Sequence, residues 1–159
     1  MKRKILTIGY SGFSLDNFVA VLRDTGVECL FDIRDIPLSR KAGFSKTALR
    51  EHLASAEIEY RHFRLLGSPR DLRHELRATR DYRPFFRGMR QHLRADDSIA
   101  EIGEAISVAR QLRACLMCCC PDWQLCHRKC VVEAISEVSY FAFEHISLEH
   151  AKQLLTDAA

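Results

Sequence analysis

The amino-acid sequence predicts an α/β protein with a three-layer, Rossmann-like fold, in which a mostly parallel sheet of about five strands carries helices on both faces. Short apolar segments alternate along the chain with longer segments whose apolar residues recur every three or four positions. Such an alternation is typical of a parallel sheet that is covered on both sides. Because the 159 residues contain no internal repeat and no low-complexity linker, we expect a single domain over residues 1–159.

The predicted elements follow one another closely along the chain. Apolar composition predicts strands at 4–9, 28–36, 58–63, 113–118 and 139–146. Helical spacing predicts helices at 14–25, 45–56, 98–111, 126–137 and 148–155, with Ser14, Ser45 and Ser98 as N-caps. An arginine-rich helical insertion at about 69–94, broken near Pro84, precedes the helix at 98–111.

The composition is that of an ordinary globular protein, with 47% hydrophobic and 28% charged residues. Gly9, Gly12 and Asp16 interrupt the apolar N-terminal stretch, which argues against a signal peptide. No apolar run approaches the roughly 18 residues of a membrane helix, so we expect a cytoplasmic protein without a membrane partner. Thiols stay reduced in that compartment, so the seven cysteines favour metal binding or catalysis over structural disulfides.

Positive charge is concentrated in the middle of the chain. Residues 61–94 contain ten arginines and three acidic residues, whereas the whole chain has a net charge of +3. This predicts an anionic partner, either a small molecule or a nucleic acid, the alternative being a solvated, salt-bridged helix pair that covers the sheet. The helical arginines fall on two faces, one with Arg73, Arg77 and Arg80 and the other with Arg83, Arg87, Arg90 and Arg94.

Three unusual sequences follow predicted strands, namely GYSG at 9–12, DIRDIP at 32–37 and CCCPDWQLCHR at 118–128. The carboxyl ends of parallel strands lie at one edge of a sheet, where α/β proteins bind ligands, so we expect these loops to form one site. Tyr10 and Ser11 either contact the ligand or form the turn into the first helix. Asp32 and Arg34 point to the same side of a strand, either as a structural ion pair or as a functional aspartate with an orienting arginine.

The same loops resemble a bacterial and archaeal family known as domain of unknown function 488. The shared elements are TIGYS at 7–11, DIRDIPLSR at 32–40 followed by Phe44, Leu66 with Gly67, Cys118 followed eight positions later by CHR at 126–128, and His145 with Ile146. No reaction is established for that family, so the resemblance implies no particular activity. The chain departs from the family pattern at Ser68, which replaces a glycine, and at Cys119 and Cys120, which replace an alanine and an acidic residue.

The cysteine-rich segment at 116–130 has three functional interpretations. We predict no cofactor, but if a zinc or iron ion were bound, its ligands would be Cys118, Cys120, Cys126 and Cys130. A reversible disulfide between Cys118 and Cys126 is possible where the two Cα atoms lie within about 7 Å. The third interpretation is a reactive thiolate, and the non-functional alternative is that the cysteines are packing residues. Packing is what we expect of Cys29, Cys115 and Cys119.

Cys126 is the candidate for the reactive thiolate. The predicted helix begins at this residue, where free backbone N–H groups and the helix dipole favour negative charge. Arg128 and Lys129 add positive charge and His127 can act as base or ion-pair partner, so we expect a lowered thiol pKa. No cysteine has the C-x5-R spacing of cysteine phosphatases and rhodaneses, which excludes that assignment.

Two functions remain open from the sequence. The first is an enzyme, a hydrolase or group transferase, that acts on an anionic, nucleotide or nucleic-acid substrate. Its catalytic residues would be Cys126, His127, Asp32 and Cys118, and its substrate-binding residues would be Tyr10, Ser11, Arg34, Arg40 and Arg128. The second is a module without catalysis that binds nucleic acid, or that senses metal or oxidant through its cysteines.

Overall fold

The computed structural model of the chain describes residues 2–157. Five strands form one sheet in the order β3-β2-β4-β1-β5, and every neighbouring pair is parallel. The strands are β1 (Lys4–Gly9), β2 (Cys29–Asp32), β3 (Glu59–His62), β4 (Ala114–Cys118) and β5 (Ala142–Ile146). This confirms the predicted α/β class and the parallel sheet.

Seven α-helices connect and cover the strands within residues 2–157. They are α1 (Leu15–Asp24), α2 (Lys46–Ser55), α3 (Arg70–Thr79), α4 (Tyr82–Leu93), α5 (Asp96–Ala109), α6 (Arg128–Val138) and α7 (Leu148–Asp157). Single 3₁₀ turns lie at Arg64–Leu66 and Trp123–Leu125. None of the described helices is both long enough and apolar enough to cross a membrane.

Two apolar cores lie on opposite faces of the sheet. On one face α1, α2 and α7 pack through Phe18, Leu53 and Ala151 onto strand residues that include Leu6. On the other face α4, α5 and α6 pack through residues such as Met89, Ile102 and Val131. All residues of β2 and β4 are buried, as expected for central strands of a parallel sheet. These faces confirm the three-layer, Rossmann-like architecture, with α3 packed against α4 at its margin.

Two predicted helix starts are wrong. Helix α5 begins at Asp96 with Ala95 at the N-cap position, and Ser98 is buried in the first turn instead of capping it. The two aspartates of that turn favour the earlier start because they interact with the positive end of the helix dipole. Helix α6 begins at Arg128, so Cys126 precedes it, with extended backbone angles of φ −142° and ψ 153°. Cys126 and Cys130 therefore do not share a helical face.

The loops that follow β1, β2 and β4 lie side by side at the carboxyl edge, as predicted. The backbone N–H groups of Tyr10 and Ile33 donate to carbonyl oxygens of β4, at 2.9 and 3.1 Å. Gly9 allows the cysteine loop after β4 to approach β1 closely, because a Cβ atom at Gly9 would lie 1.7 Å from the carbonyl oxygen of Cys120. Backbone contacts thus join the three loops into one surface.

Candidate thiol site at the carboxyl edge of the sheet

A cleft of about 590 Å³ opens between the three loops. This volume is within the range of small-molecule binding sites. Its lining comprises Tyr10, Ser11, Arg34, Asp35, Ile36, Leu38, Ser39, Arg40, Lys41, Ser68, Arg73, Arg77, Cys118, Cys119, Cys120 and His127. Among the predicted catalytic and substrate-binding residues, those that border it are Tyr10, Ser11, Arg34, Arg40, Cys118 and His127, and the candidate metal ligand Cys120 borders it too.

Asp32 lies beneath the cleft and holds Arg34 in place. Its carboxylate is fully buried and accepts bonds from Nε and Nη2 of Arg34 at 2.8 and 2.7 Å, and from the backbone N–H of Arg34 at 3.2 Å. The hydroxyl of Tyr60, on β3, also donates to the carboxylate, at 2.5 Å. A carboxylate with these partners compensates the positive charge of the buried Arg34 guanidinium. Tyr60 was not predicted as a site residue, since nothing in its local sequence marks it.

Arg34 carries a spare donor at the floor of the cleft. Its side chain is 7% exposed, and Nη1 is buried without a hydrogen-bond partner. The guanidinium lies over the ring of Tyr10, 5.4 Å from the centroid. Tyr10 is fixed in turn, because its ring stacks on Phe44 at 4.6 Å and its hydroxyl donates to Ser39. A buried, unpaired donor is costly, and an anionic oxygen in the cleft would supply the missing acceptor.

The rim of the cleft is positively charged. Arg73 binds Asp35, whereas Arg40, Lys41 and Arg77 have no acidic partner among the described residues. Arg73 and Arg77 belong to helix α3 of the arginine-rich insertion, which the sequence did not connect with the predicted site. The fold brings them there because α3 follows β3 at the same edge of the sheet. The excess of cations favours an anionic ligand.

Three cysteine sulfurs form a cluster at one end of the cleft. The Sγ atoms of Cys118 and Cys126 are 3.0 Å apart, and those of Cys118, Cys120 and Cys126 all lie within 4.8 Å of one another. All seven cysteines are free thiols. Cys130 lies outside the cluster, with its thiol 4.0 Å from the carbonyl oxygen of Phe86, so the four predicted metal ligands are reduced to three. Cys119 was expected in the core, but it follows β4 and is exposed.

Cys126 is held by groups that favour its anionic form. The backbone N–H of Arg128 points at its sulfur at 3.4 Å, in the manner of a helix cap. Nε2 of His127 lies 2.7 Å from the carbonyl oxygen of Ile33, so this nitrogen donates. Nδ1 then faces the Cys126 sulfur at 3.7 Å. Cys126 therefore precedes the helix. Its sulfur still contacts a first-turn backbone N–H and the His127 ring, as the sequence predicted.

These contacts shift the pKa values of Cys126 and His127 towards an ion pair. Burial raises the pKa of the Cys126 thiol, but the hydrogen bonds from Cys118 and Cys120 and the charge of His127 outweigh it and hold that pKa well below its usual range. Burial lowers the pKa of His127, but the negative charge of Cys126 outweighs it and raises that pKa. Burial raises the pKa of Cys118, so of the two neighbouring sulfurs Cys126 carries the charge.

Three of the predicted catalytic and substrate-binding residues do not border the cleft. Cys126 and Cys118 are equally buried, each 1% exposed, but only Cys118 is part of the cleft lining, and Asp32 lies below Arg34. Arg128 is also buried, and its guanidinium donates to Thr7 at 3.2 Å and to the carbonyl oxygen of Cys120 at 2.7 Å. Arg128 therefore anchors the cysteine loop. The cleft itself is lined by residues next to these three, such as Cys118, His127 and Arg34.

A stacked ring pair flanks the same network on the side of β5. The rings of Trp123 and His145 are parallel at 3.7 Å, and Nδ1 of His145 lies 2.6 Å from the hydroxyl of Thr7. Burial and the charge of Arg128 lower the pKa of His145 to about 4. Trp123 was not predicted as a site residue, although it lies inside the CCCPDWQLCHR segment, because its contact with β5 depends on the fold.

The family resemblance is confirmed by comparison with known proteins. A family model described as domain of unknown function DUF488 matches residues 14–135. The matched segment includes the Asp32–Arg34 pair, the arginine-rich insertion and the cysteine cluster. No curated protein and no solved structure matches the chain.

Proposed function

The chain belongs to the DUF488 family, and for this member we propose a thiol-dependent hydrolase or group transferase that acts on an anionic, nucleotide-like substrate in the cleft. The observation that carries the proposal is the pair of sulfurs of Cys118 and Cys126, 3.0 Å apart and next to His127, at a cleft whose other charged groups are mainly cations. A sulfur nucleophile, a proton donor and anion-binding groups are the parts that such a reaction requires.

The two cysteines divide the work of the nucleophile. Cys126 stores the negative charge, and Cys118, which borders the cleft, delivers it after passing its proton to Cys126 across the 3.0 Å contact. The Cys118 sulfur then attacks the electrophilic centre of the substrate, the leaving group departs with its electron pair, and His127 gives that group a proton. Water or an acceptor alcohol next displaces the sulfur and returns a proton to His127, while Cys118 recovers its own from Cys126.

Arg34 is the group proposed to bind the anionic part of the substrate. Its free Nη1 supplies one donor, and Arg40, Lys41 and Arg77 supply positive charge at the rim. Asp32 and Tyr60 are positioning residues, because they contact Arg34 and lie away from the cleft. Asp32 already accepts bonds from Arg34 and Tyr60, which favours this role over that of a reactive group.

Labelling with a small alkylator tests the proposal. Iodoacetamide is applied with and without ADP, and the modified cysteine is identified by fragmentation of the peptide that contains the cluster. We expect ADP to protect Cys118 and Cys126, and Arg34→Gln to remove the protection. Cys29, which is fully buried in β2, is the internal control and should stay unlabelled while the protein is folded. Equal labelling of the pair with and without ADP would overturn the proposal.

A second candidate is a metal- or redox-sensing module without catalysis. It is favoured by the three sulfurs within 4.8 Å, which fit zinc or iron with the fourth position left to another ligand. Elemental analysis of purified protein and of Cys120→Ser separates the two candidates, because the proposed reaction steps use the sulfurs of Cys118 and Cys126, whereas the metal site requires all three sulfurs. Stoichiometric metal that is lost in Cys120→Ser would favour the module, and metal-free protein with ADP-protected thiols would favour the enzyme.

A further inference from the structure

A second concave surface, the α4–α6 groove, lies on the helices of the arginine-rich insertion. It has a volume of about 660 Å³ and runs between helix α4 and the first turn of α6. Its lining consists of Arg83, Phe86, Arg87, Arg90, Gln91, Arg94 and Lys129. Five of these seven residues are cations, and none is acidic. None of them borders the cleft described above.

The four arginines form a straight row along α4. Their positions, 83, 87, 90 and 94, repeat at steps of four, three and four residues, which keeps them on one helical face. The row is about 16 Å long at roughly 1.5 Å per residue. Along that distance one strand of a nucleic-acid helix carries roughly five phosphates, at about 3.4 Å each. The row is thus long enough to contact several successive phosphates of one strand.

Much of this charge is not neutralised within the protein. Arg83 binds Asp81 and Arg90 binds Glu133, but Arg87, Arg94 and Lys129 have no acidic partner among residues 2–157. The floor of the groove is the ring of Phe86, over which the charged groups of Arg90 and Lys129 lie at 5.8 and 5.0 Å from the centroid. The ring keeps these two cations at the surface of the groove.

We propose that the α4–α6 groove binds the phosphodiester backbone of a nucleic-acid strand. A strand is favoured over an acidic protein because four of the five cations are arginines, whose planar guanidinium matches phosphate, and because they are evenly spaced. The start of α6 connects the groove with the thiol site, since Lys129 lines the groove and His127, two residues earlier, lines the cleft. In this respect the inference extends the proposed function, because the nucleotide in the cleft would then belong to the bound strand.

Salt-dependent binding tests the groove. Fluorescence anisotropy of a labelled single-stranded RNA or DNA oligonucleotide is followed over a series of salt concentrations. Each phosphate contact contributes about −0.7 to the slope of log K against log salt. The double variant Arg87→Gln with Arg94→Gln should flatten the slope by about 1.4, because it removes two contacts. The matched control, Arg23→Gln with Lys152→Gln, removes two exposed cations from α1 and α7 on the opposite face.

The outcomes separate this inference from the proposed function. Cys126→Ser should bind the oligonucleotide as the wild type does, because Cys126 does not line the groove. Binding of the strand without ADP protection of the thiols would contradict the proposed enzyme and leave the proposed role of the groove standing. Three results would overturn the proposed role of the groove. They are an unchanged slope in the α4 double variant, an equal flattening of the slope in the control, and stronger binding of poly-glutamate than of either oligonucleotide.

Discussion

The sulfur of Cys118 lies 3.0 Å from the sulfur of Cys126, and only Cys118 borders the cleft. The charge-stabilising groups contact the other member of the pair, since the Arg128 N–H and the His127 ring both face Cys126. The negative charge is thus stabilised on Cys126, whereas Cys118 is the sulfur next to the cleft. Both residues are shielded from solvent, since each is 1% exposed, but Cys118 lies next to the cleft in which the substrate is proposed to bind.

The same proximity predicts a reversible disulfide. A disulfide needs the sulfurs about 2 Å apart, so a shift of roughly 1 Å suffices to join Cys118 and Cys126. Diamide accepts the two thiol hydrogens, so treatment with it should lower the mass of the protein by the mass of two hydrogen atoms. It should also block ADP-protected labelling. Dithiothreitol should restore both. Cys126→Ser should not form this bond, and a mass loss that maps to other cysteines would contradict the prediction.

Replacing Asp32 should destabilise the protein strongly. Asp32→Asn leaves the Arg34 guanidinium buried without its counter-charge, which costs about 3–5 kcal/mol of unfolding free energy. Asp81→Asn is a matched control, because Asp81 binds Arg83 through the same Nε, Nη2 and backbone N–H contacts, but at an exposed position. Urea denaturation should show a large loss for the first variant and a much smaller loss for the second, because Asp81 is exposed and asparagine also serves as an N-cap. Equal losses would refute a buried ion pair under the cleft.

His145 should make stability depend on pH. Its pKa is about 4 in the folded chain, against an ordinary value of 6.5, so between these values the unfolded chain binds more protons. Stability therefore falls as the pH falls through that window. Urea denaturation of His145→Gln over the same pH range should give a flatter profile than the wild type. Parallel profiles would show that burial and the charge of Arg128 do not keep His145 neutral.

Gly9 should tolerate no side chain. In Gly9→Ala the new Cβ atom would overlap the carbonyl oxygen of Cys120, so the cysteine loop must move away from β1. We expect a lower melting temperature and loss of ADP-protected labelling. Gly103→Ala, in α5, is the control, since nothing lies within 4 Å of its added Cβ, and it should stabilise the protein by roughly 0.5–1 kcal/mol. Gly9→Ala with unaltered melting and protection would contradict the close loop packing.

The convergence of the three loops could be predicted from the sequence, but the contacts within the site could not. Apolar periodicity locates the strands, and the geometry of parallel sheets then places positions 10, 34 and 118 at one edge. The bend that leaves Cys126 outside α6 was not predictable, because it accompanies a long-range hydrogen bond between His127 and the carbonyl oxygen of Ile33 that the local sequence does not encode. The approach of Tyr60 to Asp32 depends on pairing of β2 with β3, which the local sequence does not encode.

Titration of the thiolate ultraviolet absorbance tests the central claim most directly. Ordinary cysteine thiols lose their thiolate absorbance as the pH falls below about 8.5. Because the pKa of Cys126 is held well below its usual range, the wild type should retain a thiolate at neutral pH. That signal should disappear in Cys126→Ser. If the folded wild type has no thiolate at neutral pH, Cys126 does not carry the negative charge and the proposed mechanism fails.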